Sequence, residues 1–284
     1  MSLKDYFIKA QSQSFALGAF NVCNLETIKA IIQASQKLLS PVIISSSPGE
    51  TDYIEPENLC DIVKNYRRQT GLPIFINLDH AKSLEKIKRA INAGYDMIHF
   101  DGSDLSFEDN KKITKQVMAM AKEKNIVVEG ELGYISGSSA PFLDQKVAEI
   151  QAKGSLTDPD QAQEFVEETR IDVLASFIGN VHGLYKGAKK LDLERLALIK
   201  QKTNCFLSLH GGSGTEASEI KEVIKRGVVK VNINTELRVA YKTASQQAFN
   251  QSIEVAAYKL MPSVIEAIQK IVEEKIKIFG SQGK

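Results

Sequence analysis

Eight short apolar runs alternate with longer helix-patterned segments along the whole of this chain, and few folds accept that order. The runs lie at 15–22, 41–45, 73–78, 96–100, 125–132, 173–178, 205–210 and 228–233. They are continuously apolar rather than alternating, as strands buried on both faces are. The segments between them, such as 24–39, 83–94 and 218–227, are amphipathic. Gly94 and Gly227 sit where C-caps belong, and Ser83 where an N-cap belongs, without the glutamate of a full capping box. Eight strand–helix units predict an α/β fold, a (β/α)8 TIM barrel with extra C-terminal helices. An open doubly wound sheet is the runner-up. It usually carries a glycine-rich turn after its first strand, and AFNVCN (19–24) is not one.

The chain has 284 residues, 43% of them hydrophobic, with no Pro/Ser-rich linker, so one domain over 1–284 is expected. Residues 134–157 form the longest stretch without a clear period and are expected to be a mobile active-site loop. Residues 235–284 form a helical tail longer than one closing helix needs, with room for an oligomer contact. Lys plus Arg number 36 against 35 Asp plus Glu, so no basic stripe argues for nucleic acid. Three scattered cysteines, Cys23, Cys60 and Cys205, fit a reducing compartment. The first residues lack the apolar core of a signal peptide, and no run is long enough to span a bilayer. The expectation is a cytoplasmic protein without a membrane partner.

A barrel gathers the C-terminal ends of its strands on one face, where its chemistry resides. The polar residues of this chain fall at those ends: Asn21, Ser47, Asp79 and His80, Asp101 and Ser103, Glu129 and Glu131, Asn180 and His182, His210 and Ser213, Asn232 and Asn234. Any one of them reads equally well as a loop residue or a helix cap. His80, His182 and His210 are the candidates for a divalent metal, since converging imidazoles with an open position suit one. His99 lies inside an apolar run and reads as a satisfied interior or helix-facing histidine. HGGSG (210–214) with VNINT (231–235) has the make-up of a phosphate cradle, with hydroxyl donors at Ser213 and Thr235. Asp79 can orient a ligand or act as a general acid/base. Glu129 and Glu131 share one strand face, either as chemistry or as a charged interior paired with Lys or Arg.

These motifs together resemble the class II, metal-dependent ketose-bisphosphate aldolases of the fructose-bisphosphate and tagatose-bisphosphate type. The resemblance runs through AFNVCNLET (19–27), PVIISSSPGE (41–50), NLDH (77–80), FDGSDLSFEDN (100–110), EGELG (129–133), IGNVHGLYKG (178–187), LHGGSG (209–214) and KVNINTELR (230–238). It implies a zinc ion held at His80, His182 and His210, with a second or alternative position at Glu131 and Asp101. It also implies cleavage of a sugar bisphosphate to dihydroxyacetone phosphate and glyceraldehyde 3-phosphate. Asp79 matches the residue that handles the C4 hydroxyl proton. Gly183, Gly211, Ser213, Asn234 and Thr235 match the positions that hold the dihydroxyacetone-phosphate end. Asn232 matches a contact to the reacting intermediate, and Asn21 and Ser47 match positions near the substrate. The family also implies a monovalent cation, Na+ or K+, by the phosphate loops, and a homodimer or homotetramer.

One segment departs from the pattern. After ELG the family usually carries two glycines, one residue and a Glu-Asp pair, whose glutamate exchanges the C3 proton. Here the chain reads GYISGSSAPFLDQKVAEIQAKGSLTDP (133–159), with no Glu at that place. Asp144 and Glu149 are the candidates to replace it. The resemblance also admits another phosphorylated ketose, or a metal- and sugar-phosphate-binding homologue with impaired turnover. Arg238 and Lys284 are the candidate bases for the distal substrate group, and the C4 epimer is left open. Ala81, where Gly or Cys is common, is a minor change.

Overall fold

The computed structural model describes residues 1–284. Eight parallel strands close into a barrel: β1 (Leu17–Asn21), β2 (Val42–Ser46), β3 (Ile74–Ala81), β4 (Met97–Phe100), β5 (Val127–Leu132), β7 (Val173–Ser176), β9 (Phe206–Leu209) and β10 (Val228–Ile233). Two further strands, β6 (Gly137–Lys146) and β8 (His182–Lys186), pair outside it. The helices are α1 (Leu3–Gln13), α2 (Leu25–Leu38), α3 (Pro48–Ile54), α4 (Pro56–Thr70), α5 (Leu84–Ala93), α6 (Phe107–Lys122), α7 (Val147–Gln151), α8 (Pro159–Thr169), α9 (Leu193–Lys202), α10 (Ala217–Lys225), α11 (Thr235–Gln251) and α12 (Ala257–Phe279). The expected barrel with extra C-terminal helices is present, and all eight predicted runs supply its strands.

The outward strand positions, among them Ile44, Ile76, Ile98, Val128, Leu174, Leu207 and Val231, form the large core beneath the helices. The inward positions change character up the barrel. At the N-terminal end Leu17, Ile43, Phe75, Met97, Val127, Val173 and Val229 make an apolar plug, which α1 seals with Leu3, Phe7 and Ala10. Two residues along the strands, the interior turns polar: Ser45 meets Asn77, and Glu129 meets Lys230 and Ser208. This step from oil to charge along one axis directs chemistry to the C-terminal face.

α12 completes the outer ring. Val264, Ile268, Val272 and Ile276, four apart, form one buried stripe, a helical period read directly from sequence. No helix is long and apolar enough to cross a membrane.

Residues 134–157 differ from the expectation of a segment without regular structure. They carry β6 and α7, and β6 lies parallel to β8 with Phe142 stacked on Tyr185 at 5.6 Å. Most side chains of β6 are exposed or half-buried, so it lacks the continuous apolar pattern by which the barrel strands were read.

Candidate active site

Two local irregularities aim the central residues. On a regular strand neighbours face opposite ways, so His80 should point at the helices when Asp79 points inward. Instead His80 has φ 52°, and the β3–β4 register shifts between Leu78 and Ala81. This left-handed turn brings both residues to the interior, and the strain is local to a functional strand end. A second register shift, between Val228 and Lys230 on β10, acts similarly. It lets Val229 join the apolar plug while Lys230 and Asn232 also face inward.

A cavity of about 300 Å³ opens at the C-terminal face. The expected metal, substrate and proton-handling residues line it: Asn21, Ser47, Asp79, His80, Asp101, Glu131, His182, Gly183, His210, Gly211, Ser213, Asn232, Asn234 and Thr235. Glu129 and Asn180 lie outside the lining. Arg238 lines it too. Lys284 does not; its ammonium reaches Gln13 of α1, at the opposite end. Asp144 and Glu149 are exposed and stand outside the lining, which takes Tyr134, Ile135, Gly137, Ser138 and Ser139 from that segment.

Asp79 is held by two amides. Its Oδ1 accepts from Asn232 Nδ2 at 3.0 Å and its Oδ2 from Asn21 Nδ2 at 3.2 Å. Burial opposes ionisation, but His80, His99 and His210 around it bring its pKa well below the usual carboxylate range. Glu50, which the sequence reading passed over, orients Asn21 (3.0 Å) and pairs with Arg238 (2.5 Å). Ser47 and Glu50 cap α3 reciprocally, and that Ser-x-x-Glu spacing was the available signal.

The histidines have defined tautomers. Glu129 Oε2 accepts from Lys230 Nζ at 2.6 Å, and its Oε1 accepts from Ser208 Oγ and lies 3.1 Å from His210 Nε2. The carboxylate can only accept, so His210 Nε2 carries the proton and Nδ1 keeps its lone pair. On the other side His80 Nδ1 stands 3.1 Å from Asp101 Oδ2, and Asp101 also takes bonds from Ser103 N and Oγ. Burial works against ionisation of Asp101, but the His80 contact holds its pKa low. His80 therefore donates through Nδ1 and presents Nε2. The two free nitrogens, His80 Nε2 and His210 Nδ1, face each other at 2.9 Å.

Facing lone pairs repel unless a proton or a cation lies between them. Burial disfavours charge on His80, yet Asp79 and Asp101 raise its pKa, so a proton can serve. Burial lowers the pKa of His210 to about 3. Imidazoles backed by carboxylates, with their remaining nitrogens converging, are also the donor set of a divalent metal site. The donor atoms of Asp79, His80, His99 and His210 lie within 4.8 Å of one another, as do those of His80, Asp101 and Glu131.

Two histidines differ from the sequence reading. His99 is interior as expected, but it belongs to the cluster: its ring centroid lies 4.5 Å from His80 and 4.6 Å from His210. Its Nδ1 accepts from His80 N at 3.1 Å, while Nε2, 3.1 Å from Glu131 Oε2, is badly aligned with it. Both atoms are left without a hydrogen-bond partner. Its apolar neighbours in MIHF concealed it: Ile98 and Phe100 face the helices, and Met97, on its own face, belongs to the apolar plug. His182 stands at the rim, 4.9 Å from His80 and 6.1 Å from His210 by ring centroids, and outside both 4.8 Å groups. β7 ends at Ser176, and His182 opens β8 instead. Burial lowers its pKa well below the usual imidazole range, so it is a neutral donor.

At the loops after β9 and β10, Ser213 Oγ accepts from the N–H groups of Asn234 and Glu236 at 3.3 and 3.4 Å, at the start of α11. Gly183 has φ 103°, and a Cβ there would stand 2.6 Å from Ser138 O, so only glycine allows β6 this close.

The whole chain, residues 1–284, matches the family described as "Fructose-bisphosphate aldolase class-II". A "Fructose-bisphosphate aldolase" of Staphylococcus aureus is 36% identical over 289 aligned residues, covering 100% of this chain and 98% of that protein. Among solved structures, the YdjI aldolase from Escherichia coli K12 is 32% identical, with a TM-score of 0.84 over 99% of this chain and 98% of its own. A putative fructose-1,6-bisphosphate aldolase from Coccidioides immitis is 33% identical, with a TM-score of 0.87 over 99% and 96%.

Proposed function

The chain belongs to the class II fructose-bisphosphate aldolase family of lyases, and from that premise we propose a zinc-dependent aldol cleavage of fructose 1,6-bisphosphate or tagatose 1,6-bisphosphate. The products are dihydroxyacetone phosphate and glyceraldehyde 3-phosphate. The observation that carries the metal is the facing pair of His80 Nε2 and His210 Nδ1, each backed by a carboxylate. His80, His182 and His210 would hold the ion, with Glu131 and Asp101 beside His80 as an alternative position. A zinc ion bound there supplies Lewis acidity to the substrate carbonyl.

The remaining work falls to the side chains. Asp79, ionised and held by two asparagine amides, takes the C4 hydroxyl proton as the C3–C4 bond breaks. The electron pair of that bond stays with the dihydroxyacetone phosphate half. Asn232 and Asn21 fix the carboxylate and border the substrate. Gly183, Gly211, Ser213, Asn234 and Thr235 receive the phosphate at the α11 N-terminus. Two bases line the cleft, Lys82 and Arg238; Lys82 is paired with Asp104 beside the alternative metal position, which leaves Arg238 as the candidate for the distal group. No acid of 134–157 lines the cleft, and this favours a second reading in which C3 proton exchange is slow and turnover impaired. The family's alkali cation, Na+ or K+, would belong beside the phosphate loops, where the main-chain carbonyls of Val181, Gly211 and Ser213 accept from Lys189 Nζ. A homodimer or homotetramer would draw on Phe249, Ile253, Val255 and Tyr258, exposed apolar residues of the tail; sedimentation reads that state.

The test is cleavage of each bisphosphate before and after chelation, with zinc restored. Activity lost and regained supports the reading. Zinc binding without cleavage of either epimer would sink the substrate assignment. Slow exchange of a hydroxymethyl hydrogen of dihydroxyacetone phosphate, on the carbon that was C3 of the ketose, with deuterated solvent would favour the second reading.

A further inference from the structure

One buried cation is used by none of these steps. Lys189, between β8 and α9, is 2% exposed. Its Nζ donates to the main-chain carbonyls of Val181 at 2.8 Å, Gly211 at 2.8 Å and Ser213. Burial pulls its pKa down to about 7. The cradle favours the charged form, because three acceptors match the three N–H bonds of an ammonium and a neutral amine has only two. The acceptors come from two different loops. Val181 precedes His182, while Gly211 and Ser213 follow His210. The cradle closes because Gly211 has φ 66°; a Cβ there would stand 2.4 Å from the Val181 oxygen.

The hydrogen bonds of Lys189 are satisfied, but its charge is not. No carboxylate pairs with it. The acid that acts on it, Glu236, is itself paired with Lys275 at 2.7 Å. A buried charge without a counter-charge is unfavourable. Gly211 and Ser213 also line the cleft, so an anion bound there completes the balance. Three converging carbonyl oxygens are, moreover, the ligand type of a hard cation.

We propose that Lys189 is a positioning residue whose ammonium serves as a built-in cation beneath the phosphate cradle, in the place of a sodium or potassium ion. This rests on the sugar-phosphate reading of the same cleft. The chain then binds phosphate without an alkali cation, and loss of the ammonium creates a need for one.

The experiment compares binding of inorganic phosphate and dihydroxyacetone phosphate by calorimetry in tetramethylammonium chloride and in KCl at equal ionic strength. The unaltered protein should show the same affinity in both, within about twofold. Lys189→Ala should bind about tenfold or more weakly in tetramethylammonium chloride. KCl should restore that affinity saturably and raise the variant's Tm, and KM should suffer more than kcat. Potassium-dependent binding by the unaltered protein would overturn the proposal. So would full affinity in a folded Lys189→Ala without potassium, or a loss that no alkali ion rescues. If Lys189→Ala does not fold, Lys189→Met takes its place, and if both fail the unaltered protein decides alone. Phosphate binding is read without turnover, so failure of cleavage would remove the functional reading and leave this one standing.

Discussion

Glu129 and His210 meet on the barrel axis, Oε1 to Nε2, at 3.1 Å. Because Lys230 and Ser208 keep that carboxylate an acceptor, the contact decides which nitrogen of His210 is free for a metal. Glu129→Gln can present an amide N–H there and reverse the tautomer. Metal affinity should fall by about 10–100-fold, measured by zinc competition against a chromophoric chelator. Unchanged affinity would show that His210 binds through either nitrogen.

Removing the other partner tests stability. Glu129 and Lys230 are both fully buried, 2.6 Å apart. Lys230→Met leaves the carboxylate uncompensated and should cost about 3–5 kcal/mol. The double variant with Glu129→Gln should recover much of that loss. Urea unfolding of the three proteins gives the comparison, and a double variant no better than the single would contradict it.

Asp79→Asn keeps the size of the side chain and removes the base. With Asn21 and Asn232 still present, kcat should drop by about 10²–10⁴-fold while zinc content stays near that of the unaltered protein. A drop explained by lost zinc would reassign Asp79 to the metal.

Asp144→Asn and Glu149→Gln should each leave kcat within about twofold, since both acids are exposed and outside the lining. A loss beyond tenfold in either would mean that the 134–157 segment folds inward with substrate.

Metal-free protein should lose stability in acid in a way traceable to His210. Its folded pKa, lowered to about 3 by burial, lies below an unfolded value of about 6.5. The unfolded state therefore binds more protons between those values, and stability falls as pH drops through that window. Asp101, also lowered, adds loss in the same direction below about pH 4. His80, raised by Asp79 and Asp101 against burial, acts oppositely. His210→Gln isolates the first contribution: its urea midpoint should decline less between pH 6.5 and 4 than that of the unaltered protein. Equal slopes would contradict it.

The barrel was legible because its strands are buried on both faces, so each reads as an apolar run, as IFINL (74–78) does. β6 was not legible, because Ser138, Ser139 and Asp144 leave it little apolar surface to read. Asp79 and Asn232 could be placed at the C-terminal face from their positions at strand ends. His99 was hidden among apolar neighbours, although strand alternation would have set it on the same face as Met97.

The sequence by itself determined the strand–helix order and the polar residues gathered at the C-terminal face of the barrel, since these follow from periodicity and position along the chain. Only the tertiary structure decided how those residues face one another. The turn at His80 and the bulge before Lys230 reverse strand alternation. The tautomers of His80 and His210 are set by Asp101 and Glu129, from other strands. Lys189 finds its three carbonyls in two separate loops. Each depends on contacts between residues far apart in the chain, which no local pattern encodes.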